Sequence, residues 1–88
     1  MKAIYKFRLP HKENFFLTLS NKPKLLKVAV QGDSANLWVE LDPDNIIISY
    51  RFKVFMTGLN IDVVGLRYVD SFELPNGIVG HLYVEDCI

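Results

Sequence analysis

Ser34 follows Gly32 and Asp33 in the stretch VAVQGDSANLWVELD, residues 28–42. A G-D-S triplet can carry an esterase nucleophile, but a hydroxyl attacks only beside a base that takes its proton. In GDS-type esterases that base comes from a distant D-x-x-H box. Here Ile78 stands three residues before His81, and Arg8 three before His11. The triplet instead separates two alternating runs. It reads as a hairpin tip with a four- or five-residue loop, Gly32 supplying positive φ. Metal chemistry fares no better. His11, His81 and Cys87 lack the spacing of a zinc site. Asp42 and Asp44 open like a calcium loop, but Ile47 and Lys53 occupy the places of its glycine and last glutamate. Asp70, Glu73, Glu85 and Asp86 read as solvated carboxylates. No catalytic residue, metal ligand or cofactor is expected, and an enzyme is not.

Binding chemistry is better represented. Thr57-Gly58 ends a strong strand pattern. Glycine there exposes backbone amides, and the adjacent hydroxyl can help hold an anion such as phosphate; a plain turn is the competing reading. Trp38 alternates with Leu37 and Val39 and so faces away from them. It is either an interface anchor or part of a second, minor core. His81 and Tyr83 share the outer face of the last strand. The candidate partner- or ligand-binding residues are therefore Trp38, Thr57, Gly58, His81 and Tyr83.

Alternation of period two dominates the elements that must position these residues. Ala3, Tyr5, Phe7 and Leu9 share one face, before Pro10 ends the run. Phe15, Leu17 and Leu19 alternate next, although residues 11–20 also admit a short helical turn. Leu26, Val28 and Val30 point inward in the third run, as do Leu37, Val39 and Leu41 in the fourth. Ile48, Tyr50, Phe52, Val54 and Met56 share one face of the longest strand. Residues 63–74 read as a strand with a bulge or bend near Gly65. After the LPNG turn, Ile78, Leu82 and Val84 face inward. The fold expected is all-β, with at most one short helical turn. It is an antiparallel β-sandwich or a small, partly open barrel of six to seven strands, forming a single domain over 1–88.

Eighty-eight residues, half of them hydrophobic, build a marginal core. The apolar surplus points to a homo-oligomer or a partner surface. Ten basic and ten acidic residues give zero net charge, without the footprint of a duplex-DNA binder. Basic residues concentrate before residue 28 and acidic ones after it; scatter over solvated faces competes with a basic face. One cysteine, Cys87, makes no internal disulfide. Without an apolar leader or a long apolar run, no membrane is expected and the location expected is cytoplasmic.

The segments MKAIYKFRL, VAVQGDSANLWVELDP, FKVFMTG and RYVDSFELPNGIVGHLYVE carry a resemblance. In order, they are similar to a family of small bacteriophage and prophage proteins of uncharacterised function. Lys2, Ile4, Tyr5 and Lys6 fit the family's opening, Gln31-Gly32 its V-Q-x-G, and Leu37, Trp38, Asp42 and Pro43 its L-W and D-P. Thr57-Gly58 and His81 fit its loop and its late histidine. Gly80 and Met56 stand where the family has tryptophan and glycine. The resemblance implies a phage-encoded accessory protein in a bacterial host, and no activity. The function expected is binding and inhibition of a host protein, a component of antiviral defence such as a CRISPR complex. The alternatives are an oligomer that sequesters a nucleotide-type defence signal, and a minor virion or assembly protein.

Overall fold

A computed structural model describes residues 1–86, and the lone cysteine, Cys87, lies outside the described residues. Seven strands follow one another: β1 (Ala3–Arg8), β2 (Asn14–Ser20), β3 (Lys24–Gln31), β4 (Ser34–Leu41), β5 (Ile47–Met56), β6 (Leu66–Glu73) and β7 (Val79–Glu85). No helix forms among the described residues. Residues 14–20, which also admitted a helical turn, are a strand because they pair along β5 from Asn14↔Lys53 to Ser20↔Ile47.

All pairings are antiparallel, in two sheets ordered β1-β4-β3 and β2-β5-β7-β6. The sheets do not close into a barrel; they face one another as a sandwich. Their inner faces bury Leu37, Val39, Phe52, Leu82 and Val84 completely. Each such side chain contributes about 1.5–3 kcal/mol relative to exposure. Phe15 and Phe52, paired across β2 and β5, stack with centroids 5.7 Å apart.

The β3–β4 loop is tighter than expected. Gln31 pairs with Ser34, leaving two loop residues, and Gly32 takes φ +65°. A glycine at the first position of a two-residue hairpin suits the right-handed twist of the strands. Ser34 is buried, accepts from Arg8 Nε at 3.0 Å and donates to Asp33 Oδ1 at 3.2 Å.

Two bulges correct the simple alternation. The β3–β4 register shifts between Leu25 and Lys27. Leu26 becomes the extra residue and is 39% exposed, while Leu25 faces Val39 and joins the core. The second bulge lies between Tyr68 and Asp70, not near Gly65, which forms the turn before β6. Ile78 precedes β7 and is exposed rather than inward. Tyr5 does lie opposite inward-facing Val39, yet it is 41% exposed.

The second bulge has a use. It turns Asp70 toward the free edge of β3, where its Oδ2 accepts the Val28 N–H at 2.8 Å. Asp70 is thus not a solvated carboxylate; it joins the two sheets along the β3–β6 side. Glu85 likewise accepts the Arg51 N–H at 2.8 Å, where the β5–β7 ladder ends. The β1 and β2 edges stay unpaired on the other side.

Candidate functional site

Directly opposed residues in a sheet share a face. On the outer face of the four-stranded sheet, β5–β7 pairing sets Phe55 against His81 and Lys53 against Tyr83. β6–β7 pairing sets Tyr68 against Tyr83 and Ser71 against His81. Four of the five candidate residues, Thr57, Gly58, His81 and Tyr83, come together here.

A chain of hydrogen bonds runs through them. Thr57 Oγ1 lies 3.3 Å from the Val79 carbonyl, which only accepts, so the hydroxyl donates there. It then accepts from His81 Nε2–H at 2.8 Å. In the neutral ring Nδ1 then accepts, and Ser71 Oγ lies 2.7 Å from it, placed to donate. The Ser71 oxygen in turn receives the Tyr68 hydroxyl at 2.7 Å. Beside this chain, Tyr83 meets Phe55 and Tyr68 edge-on, with centroids 5.3 and 5.6 Å away. Edge-on ring pairs contribute about 0.5–1.5 kcal/mol each beyond burial.

Ser71 and His81 have the composition of a nucleophile and its base. They sit on an open sheet face, however. A cavity of about 270 Å³ lies elsewhere, at one end of the sandwich, between Leu9, Ala35, Val54, Met56, Phe72 and Leu74. The chain of bonds holds rings and hydroxyls in one arrangement, which suits recognition. The loop that follows continues the surface. Gly58 turns it with φ +93°. Leu59, Ile61, Val63 and Val64 are all exposed, Val64 by 87%. Asp62 Oδ1 accepts the Val64 N–H at 3.0 Å, and Leu66 N–H bonds the Val63 carbonyl at 3.0 Å, which ties down the end of the loop. Contiguous exposed aliphatics of this kind mark contact surfaces.

Trp38, the fifth candidate, lies on the opposite side of the molecule. It faces outward from β4, half-buried, with Lys6 of β1 and Lys27 of β3 on either side. Lys27 Nζ stands 5.4 Å from the ring centroid. Such a contact at an exposed site stabilises by about 0.5–1 kcal/mol. Arg8 and Lys24 occupy the same face by register, and Lys2 reaches Glu40 there at 3.8 Å. The chain's ten cations and ten acids are therefore segregated. Five cations share this face with Glu40 and Asp42, leaving five cations against eight acids elsewhere.

Ser71 and Tyr68 escape sequence reasoning, because a serine and a tyrosine in a strand carry no spacing signal. Only the register across the LPNG turn brings Ser71 to His81. Among the described residues no group of histidine, cysteine or carboxylate side chains could hold a metal, and no helix is long and apolar enough to cross a membrane. No curated protein and no solved structure matches the chain. One family model does match, over residues 1–87, and the chain belongs to that family, described as a domain of unknown function (DUF7352).

Proposed function

We propose that this chain is a bacteriophage-encoded accessory protein that binds a host protein and inhibits it, the target being a component of bacterial antiviral defence. Phage origin is supported by the resemblance of its segments, in order, to small phage and prophage proteins. The binding role is carried by one observation: the exposed aliphatic loop 59–64, continuous with the fixed cluster of Tyr68, Tyr83, Phe55, His81 and Thr57. Covering that surface removes apolar area from water at about 25 cal/mol per Å². Rings locked by neighbours lose little freedom on docking, which makes them good anchors. Inhibition then consists of occupying a surface that the target needs.

The test expresses the protein in host strains that each carry one defence system, then challenges them with a sensitive phage. Wild type is expected to restore plaque formation on at least one strain and to retain a protein of that system on affinity capture. Leu59→Asp combined with Val64→Asp is expected to lose both, with the fold intact because both side chains are exposed. Restoration by the double variant equal to wild type would place the binding surface elsewhere. No restoration on any strain would reject the role.

A further inference from the structure

The outer face of the three-stranded sheet has a composition unlike the rest of the molecule. Lys2, Lys6 and Arg8 form one row on β1 and its flank, and Lys24 and Lys27 another on β3. Between them, on β4, runs the row Asn36, Trp38, Glu40. Strand spacing puts the cationic rows about 10 Å apart, with the indole midway. We propose that this face binds single-stranded nucleic acid, a base stacking on Trp38 while Lys6, Lys27 and their neighbours hold the flanking phosphates.

Three features favour that occupant. The face carries five cations against Glu40 and Asp42, a net positive charge complementary to a polyanion. The aromatic sits inside the cationic field, which is the arrangement of stacking platforms in single-strand binders. Trp38 is half-buried, so part of it stays accessible to an unpaired base, whereas the bases of a duplex already stack on one another. An acidic protein segment would satisfy the lysines and leave the indole without a role. Lys27 now covers the ring, but a flexible, exposed lysine can leave it for a phosphate. The inference is independent of the docking loop, which belongs to the other sheet.

Trp38 is the only tryptophan, so its fluorescence reports on this face alone. The probe is a labelled oligothymidylate of about twelve nucleotides, a length within the usual single-strand site range. Saturable binding at low salt is expected, with quenching of Trp38. The slope of log K against log salt should approach about −3.5 if all five cations contact phosphates. Trp38→Ala should weaken binding about tenfold. Lys6→Glu with Lys27→Glu, both exposed and away from the core, should abolish binding with unchanged far-UV circular dichroism. Leu59→Asp/Val64→Asp should bind the oligonucleotide as wild type does, which separates this outcome from that of the docking surface. Absence of binding at low salt would overturn the proposal, as would indifference to the lysine reversals. A thymidine dinucleotide binding as tightly as the longer strand would assign the face to a free nucleotide. Equal affinity for polyglutamate would assign it to an acidic protein. Either result overturns the single-strand reading.

Discussion

Gly80 lies directly opposite Phe72 across β6 and β7, and the phenyl ring rests on it. A Cβ built on Gly80 would stand 2.6 Å from Phe72 Cζ, closer than real contacts allow. The ring shields backbone that glycine leaves bare, as aromatic residues do opposite glycine in other sheets. Gly80→Ala should therefore lower stability by about 1–3 kcal/mol, the range for overpacked positions. Urea denaturation checks it. Phe72→Leu placed in the same background should recover part of the loss, since the two positions are coupled. Additive losses would mean that the ring is not the obstacle. Single residues also explain the chemistry that failed. Ser34 looks like a nucleophile in isolation, yet Arg8 and Asp33 engage its hydroxyl.

Among the elements, β3 and β6 make the seam of the sandwich, and Asp70 is its polar stitch. A buried or half-buried N–H left without its acceptor costs about 1–3 kcal/mol. Asp70→Ala should cost that much and speed hydrogen exchange at the Val28 amide, while Asp70→Asn should keep most of the protection. Equal exchange in all three proteins would show that the bond contributes nothing. The same elements show what sequence patterning reveals. Leu37, Val39 and Leu41, or Tyr50, Phe52 and Val54, alternate without interruption, so their faces were readable in advance. Leu26, Val28 and Val30 alternate as cleanly, but the bulge puts Leu25 in the core, because pairing with β4 decides the phase. Thr57 and His81 stood out by type, yet nothing local made them neighbours. The lysines of β1 and β3 were visible too. Their convergence on Trp38 required β4 to lie between two strands that are far apart in sequence.

The whole molecule is a slab of 39 × 31 × 17 Å with unlike sides. One broad face is basic and centred on an indole; the other carries rings, hydroxyls and an aliphatic loop. Segregated charge makes a neutral protein behave as if charged toward a surface that meets one side of it. At pH 7 and low salt, wild type should be retained on a cation exchanger despite its zero net charge. Lys6→Glu with Lys27→Glu should pass through. Passage of wild type would show that the lysine rows do not act together.

The strand order has a further consequence, for how the chain comes to be folded. β7 lies in the interior of the four-stranded sheet, between β5 and β6, although it is the last strand in sequence. During synthesis from the N-terminus, β2 and β5 can pair early, but β6 has no place until residues 79–85 exist. Until then one side of β5 offers open backbone groups and apolar side chains to any neighbouring nascent chain. Local hairpins are confined to β3–β4 and β6–β7, so productive assembly waits on non-local pairing, which is slow and exposed to aggregation. An unfinished chain on a crowded polysome therefore offers its β5 edge to its neighbours, and faster emergence of the β6–β7 hairpin would protect it.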